Sequence, residues 1–596
     1  MKKLLTGNEA IARGAWEAGV HFAAAYPGTP STEILEEISG YDEMVAEWAP
    51  NEKVALESVI GASIAGARSL ASMKHVGVNV AADPLFTFAY AGVNGGTVII
   101  TADEPGQHSS QNEQDNRNYA RAARIPMLEP ADSQECLEMT KLAFELSEEF
   151  DTPVFLRVTT RVCHSKSFVE TGDRKDVPLK DLDKNGAKYV SVPANAKRWR
   201  VQLEDRLGRL KEFSNTTPLN FAVYNDSKTG IITSGNCYGF AREVFGDDAS
   251  YLKLGFTYPM PDDRIIEFAS KMDKIYVIEE NDPIIEERVK MLGFEAHGKD
   301  TFPAYGEMLP SVIRQSIYGE ALPTIEYDDS GVAARPPSLC AGCPHRGFFF
   351  DLGKRKDVFI SGDIGCYTLG FAPPYNAMDT TICMGASFSL GHGAQKVLNM
   401  KEGNKTRVVS VMGDSTFFHS GINSLMDVIY NKSNPVSVIL DNRITGMTGH
   451  QENPGTGYDA KRDPANMMDI ERMVRAMGIE NVTVVNPNEL HTMKDVMDKA
   501  IASPEASVII TRWPCVLKKF SQEDKEEFKG AFTEKYEVHE DDCIGCKMCI
   551  RSGCPAISFD KDKKKSHIDI NQCVGCSVCA QICPKQAIQK REVVLI

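Results

Sequence analysis

Half of the sixteen cysteines fall in two short runs, CIGCKMCIRSGCP at 543–555 and CVGCSVCAQICP at 573–584. The second run is spaced C-x2-C-x2-C-x3-C-P, the arrangement that wraps thiolates around [4Fe–4S] cubanes in bacterial-type electron carriers. The first is one residue longer before its last cysteine. In such doubled runs the fourth cysteine of each ligates the other cluster. Cys543, Cys546, Cys549 and Cys583 would then hold one cubane, and Cys573, Cys576, Cys579 and Cys554 the second. Zinc competes for CxxC pairs, but eight cysteines in a doubled pattern favour cubanes. The extra residue before Cys554 predicts a distorted loop, not a lost cluster. Two adjacent cubanes make a one-electron relay.

A second constellation lies at 408–442, VVSVMGDSTFFHSGINSLMDVIYNKSNPVSVILDN. VVSVM reads as a buried strand stopping at Gly413-Asp414. Ile422, Leu425, Met426 and Ile429 recur at helical spacing, and VSVIL is a second strand ending at Asp441-Asn442. A parallel βαβ unit puts both strand ends on one sheet edge, where open α/β sheets bind ligands. Asp414 and Asn442 would sit side by side there. A carboxylate and an amide oxygen suit a Mg²⁺ that keeps other positions for phosphate oxygens and water. The plainer alternative is a strand-end turn followed by a helix cap.

These residues need several domains to hold them. The chain has 596 residues, too many for one core and enough for about four domains. Residues 1–165 read as a parallel α/β domain. A helix at TGNEAIARGAWEAG is opened by Thr6, a second helix spans 53–73, and strands lie at VGVNVAA, GGTVIITA and TPVFLRV. Residues 166–218 read as a charged connecting segment with one amphipathic helix, and 219–320 as a second α/β domain. A linker at 321–338 contains Pro323, Pro336 and Pro337. The third α/β domain runs from 339 to 520, a charged tether from 521 to 535, and the cysteine-rich module from 535 to 596. The polar loop at 104–126 follows a strand end, so His108, Ser109, Gln111 and Asn112 are site candidates, His108 as a catalytic one. Its alternative is a solvated loop and helix cap. In the third domain, FISGDIGCYTLG and ICMGASFSLGHGAQ carry glycines suited to close backbone approach to a ligand. Asp363, Gly385 and Gly413 are cofactor-binding candidates.

A net charge of −16 with no basic face argues against nucleic acid and anionic membrane as partners. Polar residues from Thr6 to Glu9 break any signal-peptide core, and the most apolar window, 76–100, holds Asn79, Asp83, Pro84 and Asn94. A soluble, cytoplasmic protein is expected. Without an export signal, clustered cysteines point to metal over disulfides.

A metal-held diphosphate beside an electron relay narrows the chemistry. Nucleotide hydrolysis would call for a Gly-rich loop ending in GK[ST], which is not evident. Thiamine diphosphate (ThDP) fits better, because decarboxylation of a 2-oxo acid on it leaves a two-electron donor that clusters can drain one electron at a time.

The motifs then become specific. GDS followed by DN 28 positions after Asp414 resembles the ThDP motif GDG…N(N), with Ser415 in place of its last glycine. By that resemblance Asp414, Asn442 and the carbonyl of Ile444 hold Mg²⁺, and Met384 props ThDP in its bent form. Glu52 matches the glutamate that bonds the aminopyrimidine ring; by itself it would read as a surface helix residue. YPGTPST at 26–32 is similar to the substrate-side loop of 2-oxoacid:ferredoxin oxidoreductases, which places Thr29 near the oxo acid. With GQHSSQNEQD, CAGCPHR and GDIGCYTLG, the whole chain resembles the alpha subunits of the indolepyruvate branch of that family.

The resemblance implies a pyrimidine-binding domain, a middle transketolase-C-like domain, a diphosphate-binding domain and a 2[4Fe–4S] ferredoxin domain. It implies oxidation of aryl pyruvates: indolepyruvate, CoA and two oxidised ferredoxins give indoleacetyl-CoA, CO2 and two reduced ferredoxins. A smaller beta subunit, an α2β2 assembly and ferredoxin as acceptor follow as expected partners. Pyruvate-specific relatives place an arginine where this chain continues Ala102-Asp103-Glu104, consistent with a different substrate. Cys340, Cys343 and Cys366 resemble three ligands of a third cluster, with Cys383 a candidate fourth; the alternative is buried, redox-silent thiols. Two other functions stay open: a non-oxidative 2-oxoacid decarboxylase with structural clusters, and an electron-transfer subunit with vestigial ThDP domains.

Overall fold

A computed structural model describes residues 1–321, 328, 330–332 and 336–591. Pro323 and the other residues of the linker at 322–327, 329 and 333–335 lie outside the described residues, as do 592–596 of the last domain. The chain forms two compact units, Met1–Asp328 and Asp329–Ile596. No helix among the described residues is long and apolar enough to cross a membrane.

The first unit is built on a seven-stranded sheet in the order Phe256–Tyr258, Met127–Leu128, Val154–Thr159, Thr97–Asp103, Ser69–Lys74, Phe22–Ala25, Val45–Trp48. All pairings are parallel except that of Phe256–Tyr258, which joins antiparallel from the 219–320 region. The first helix, Gly7–Glu17, is opened by a capping box of Thr6 and Glu9. Asp132 caps Ser133–Phe150, which packs its apolar face on the same core.

Two expectations fail here. The helix read over 53–73 stops at Ile64, and Ser69–Lys74 is a fully buried strand. Gly66 ends the helix at φ +101°, and the backbone of Lys180 fills the space where a Cβ would stand. VGVNVAA, read as a strand, instead forms the helix His75–Val80 and the start of the next, Ala82–Ala91. Its V-x-V alternation mimics period two, but SLASMK fills the interior strand position between Thr97–Asp103 and Phe22–Ala25 with wholly buried residues. Tertiary position overrode local pattern. The segment 166–218 is also more than a connector. Lys166–Glu170 pairs antiparallel with Lys2–Thr6, and Pro193–Thr216 buries Trp199, Leu203 and Leu210.

A second sheet, ordered Lys274–Ile278, Thr229–Ser234, Ser250–Leu254, Asn220–Val223, forms the α/β fold at 219–320. A buried charge network in the first domain reaches it through one ion pair, Arg117–Glu279. Arg157 contacts Asp103 at 2.6 Å and Glu129 at 2.7 Å, while Arg117 contacts Asp115 and Glu279, each at 2.6 Å. Part of the polar 104–126 loop thus serves as an internal clamp.

The second unit holds a five-stranded parallel sheet, Val358–Ser361, Arg407–Gly413, Val436–Asp441, Ser507–Arg512, Val482–Val485. The βαβ reading at 408–442 holds, with one refinement. A π-helical turn, Phe417–Gly421, precedes the regular helix Ile422–Tyr430. The cysteine-rich module carries two antiparallel pairs, Tyr536–Val538 with Ile588–Lys590 and Ile557–Asp560 with Lys565–Ile568. The 521–535 segment is packed and not a free tether: Glu527 pairs with Arg443 at 2.7 Å, and Phe528 meets Trp513 edge-on.

Removing one partner of a buried ion pair leaves an uncompensated charge, which costs about 3–5 kcal/mol. Arg117→Ala is therefore expected to lower the free energy of unfolding of the first unit, read from a denaturant titration of the full chain, by that amount. A change below about 1 kcal/mol, the range of an exposed pair, would show that the clamp is not a stabilising element.

Candidate active site and cluster sites

The in-register pairing of Gly413 with Leu440 sets Asp414 beside Asp441 at the carboxyl ends of adjacent strands. Asp441 is compensated by Arg512 at 2.8 Å and Arg443 at 3.4 Å. Asp414 makes no ion pair with a described residue and is only 3% exposed. Burial, then the Asp441 charge, pushes its carboxyl up to about 7. Asn453 Nδ2 stands 3.4 Å from Asp414 Oδ2. Asn442 is buried, and its Oδ1 accepts the Ile444 N–H at 3.2 Å, curling the backbone so that Ile444 follows closely. Thr445 Oγ1 donates to Ser415 Oγ at 3.0 Å. A buried acid lacking a cation, next to an amide and a tight carbonyl-bearing turn, fits a divalent ion.

Asp363 plays a different part from the one expected. It is fully buried and accepts the N–H groups of Ile364, Gly385 and Ser387 at 2.7–2.8 Å. It therefore positions the Cys383-Met384-Gly385 loop from beneath, without an exposed oxygen to offer a cofactor. Burial pushes its carboxyl up to about 7. Gly385 has φ +84°, and a Cβ there would lie 1.8 Å from Ser420 Oγ, so only glycine lets this loop close on the π-helical turn. Ser420 and Ser424 hydroxyls donate to the carbonyls of Met384 and Gly385 at 3.3 and 3.1 Å. Met384 is half-buried at the top of this loop.

In the first unit the parallel strands bring further predicted residues to one edge. Thr29 follows Phe22–Ala25 in a loop with a cis Thr29–Pro30 bond. Glu52 opens the helix after Val45–Trp48, where the Asn51 side chain accepts the Val54 N–H at 2.9 Å. Glu52 is 6% exposed, which rejects the surface-residue alternative. It packs against Gly77 so closely that a Cβ there would lie 2.6 Å from Glu52 Cγ. His108 is half-exposed and pairs with Glu307 at 3.2 Å. Its neighbours Gln111 and Asn112 are exposed.

Sequence reasoning missed Lys74 and Glu104. Both are buried, 3.2 Å apart, and Lys74 Nζ donates to the Ser109 carbonyl at 3.0 Å. Glu104 accepts from the Ser109 amide and hydroxyl at 3.0 and 2.8 Å. The Gly28 position abuts the Lys74 side chain. Ending the strand at Lys74 would have exposed this pair as strand-end residues.

Twelve of the sixteen cysteines fall in three neighbourhoods of the second unit, while Cys136, Cys163 and Cys237 lie buried in the first. Cys543, Cys546, Cys549 and Cys583 line one cavity with Ile544, Pro584 and Ile588. The four come from both runs. Burial raises the Cys549 thiol, with Cys583 and Cys543 among its neighbours. Burial also pushes Cys576 up to about 11, with Cys554 and Cys573 beside it, and Cys579 adjoins the same three. Gly545 and Gly575, at equivalent places in the two runs, have φ +67° and +79°, and each faces a carbonyl 2.4 Å from a would-be Cβ. All sixteen cysteines are free thiols.

The third group corrects the expectation for Cys383. Burial pushes Cys366 up to about 11, and its thiol neighbours are Cys515 and Cys340. Cys343, also raised by burial, adjoins Cys515 and Cys366. Cys383 is exposed and adjoins Asp363 instead. Cys515 was missed because it stands alone after the strand Ser507–Arg512, in a WPC turn with no second cysteine to mark it. Its N–H donates to the Asn442 carbonyl at 3.0 Å.

Comparison with known proteins places the domains. The family model "Thiamine pyrophosphate enzyme, C-terminal TPP binding domain" matches residues 363–511, and "Pyruvate flavodoxin/ferredoxin oxidoreductase, thiamine diP-bdg" matches 13–202. "4Fe-4S dicluster domain" matches 535–584. The indolepyruvate oxidoreductase subunit IorA of Archaeoglobus fulgidus is 41% identical over 99% of this chain and 97% of its own. That of Pyrococcus horikoshii is 40% identical over 99% and 97%. The 2-oxoglutarate synthase subunit KorA of A. fulgidus is 26% identical over 53% of this chain and 99% of its own. A solved 2-oxoglutarate:ferredoxin oxidoreductase from Magnetococcus marinus covers 53% of this chain and 64% of its own at 19% identity, with a TM-score of 0.44. The resemblance read from the motifs is borne out, with its ThDP-binding fold and its dicluster module. At 40–41% identity over nearly the full length of both chains, this protein belongs to the family of the indolepyruvate oxidoreductase subunit IorA.

Proposed function

We propose that this chain is the catalytic subunit of a CoA-acylating oxidoreductase that decarboxylates indolepyruvate or a similar aryl pyruvate and passes the electrons to ferredoxin. One observation carries the reading. The Asn442 carbonyl accepts the Cys515 N–H, so a diphosphate–metal site and a thiol quartet share a hydrogen bond. That contiguity is what electron removal at the reacting cofactor requires. It favours the oxidative reading over a decarboxylase with purely structural clusters.

When bound, ThDP supplies the nucleophilic carbon and electron sink for decarboxylation, and the clusters accept electrons singly. Asp414, the Asn442 side chain and the Ile444 carbonyl hold Mg²⁺, and Ser415 and Gly413 line the diphosphate side. Asp363 fixes the Met384–Gly385 loop, so Met384 presents one rigid apolar surface. Glu52 holds and returns a proton on the aminopyrimidine side, kept in place by Gly77. Thr29 and the Lys74–Glu104 pair line the substrate edge. His108, tied to Glu307, is assigned no proton transfer. The eight module cysteines hold two [4Fe–4S] clusters, and Cys340, Cys343, Cys366 and Cys515 hold a third. A smaller beta subunit, ferredoxin and CoA complete the assembly in an α2β2 arrangement in the cytoplasm.

Three [4Fe–4S] clusters mean about twelve irons per chain, and Cys515→Ala should lower that to about eight. Unchanged iron in Cys515→Ala would remove the third cluster from the reading. Glu52→Gln and Gly77→Ala should keep all iron while 2-oxoacid-dependent dye reduction falls by about 100-fold or more; retained activity in Glu52→Gln would end its proton-holding role. With CoA, ThDP and the partner subunit supplied, ferredoxin reduction should favour indolepyruvate over pyruvate by about tenfold or more in kcat/KM. Equal rates would overturn the aryl assignment.

A further inference from the structure

Arg346, the second residue of the helix His345–Leu352, is 1% exposed. Its guanidinium donates to the carbonyls of Cys340 (2.7 Å), Leu339, Ser552 (3.3 Å) and Gly553, and to the Tyr375 hydroxyl at 2.7 Å. Tyr375 in turn donates to the Ser552 carbonyl at 2.6 Å. Every acceptor is neutral, and no carboxylate of a described residue pairs with Arg346. The contrast with Arg117 and Arg157, equally buried but each held by carboxylates at 2.6 Å, is direct.

A guanidinium does not shed its proton, so it cannot escape burial by becoming neutral. An isolated buried charge is costly unless something compensates it. Arg346 lies between the loop of Cys340 and Cys343 on one side and the loop leading into Cys554 on the other. Apart from the Tyr375 phenol, the groups able to carry negative charge that feel its field are thiols, Cys343 and Cys576. The two loops also touch directly, since a Cβ on Gly342 would strike Val574. A cubane held by four thiolates is an anion and gains one more negative charge on reduction.

We propose that Arg346 is a positioning residue for electron transfer. It pins the third thiol quartet against the Cys554, Cys573, Cys576 and Cys579 quartet, and its charge raises the reduction potential of the clusters flanking it. The proposal rests on the cluster reading of both quartets. Reduction potentials follow local charge and hydrogen bonding around a cluster, and a fixed cation favours the more negative, reduced state. The cluster of Cys543, Cys546, Cys549 and Cys583, which does not adjoin Arg346, should be insensitive to it.

The test is a potentiometric titration followed by electron paramagnetic resonance on the intact heteromeric enzyme. Iron and cluster signals of the wild type and of Cys515→Ala come first, since missing signals there would defeat the cluster reading independently of Arg346. In Arg346→Gln, with iron retained, a flanking cluster should show a reduced-to-oxidised ratio about tenfold lower at equal poise, a 59 mV shift for one electron. The remote cluster should not move. Arg346→Lys, which keeps charge but not the fork, should titrate as the wild type. Full iron with unmoved potentials in Arg346→Gln overturns the proposal. If Arg346→Gln does not load, Arg346→Lys decides: loaded clusters at wild-type potentials support the charge role, and failure to load overturns it in favour of packing alone.

Discussion

Parallel register is the constraint on which the second unit depends. Because Gly413 pairs with Leu440, the two strands end together and place Asp414 and Asp441 side by side in a buried setting. Two carboxylates so placed repel, and the structure resolves the conflict unevenly. Asp441 takes two arginines, Arg512 and Arg443, and Arg443 reaches on to Glu527 in the segment that leads to the cysteine-rich module. Asp414 takes none. The asymmetry leaves one acid with its charge unmet at the mouth of the sheet, while the other anchors the path to the electron-carrying end. A single backbone register therefore sets up both a buried acid with no ion pair among the described residues and the packing of the following 521–535 segment.

The first unit uses the same edge differently. Thr29, Glu52, Lys74 and Glu104 each follow a parallel strand, so residues far apart in sequence share one rim. Here the charges are met locally, Lys74 by Glu104 and the Ser109 carbonyl, and the deeper acids by Arg117 and Arg157. The polar 104–126 loop is thus divided: its early part shapes the rim, and its later part clamps the neighbouring sheet. The charge count of that loop carried no hint of the division, because an arginine facing solvent and one facing Glu279 are spelled alike.

What was legible in the sequence had a short, rigid grammar. The cysteine runs follow a spacing set by cubane geometry, so the dicluster module was legible from spacing alone, and the glycines of CIGC and CVGC take the positive φ that such turns require. The βαβ unit was legible because two buried β-branched strands flank one amphipathic helix. VGVNVAA misled because helix or strand was decided by which segment filled the central slot, a long-range competition. Lys74 was hidden by that error, and Glu104 by the solvated look of its loop. Cys515 was hidden for another reason: a lone cysteine has no spacing, and only the fold brings it to Cys340, Cys343 and Cys366.

Unmatched charge links the two ends of the second unit. Asp414 is a buried acid without a cationic partner, and Arg346 a buried cation without a carboxylate, among the described residues. Neither is stable by itself in a low-dielectric interior, and the two are not each other's partner. Each is instead surrounded by groups built to meet a charged guest: Asn442 and the Ile444 turn beside Asp414, thiol quartets on both sides of Arg346. The structure thus carries two unmet charges of opposite sign, a buried carboxyl at one strand end and a buried guanidinium among thiols. Cys515, bonded to Asn442 and grouped with the thiols near Arg346, lies between them.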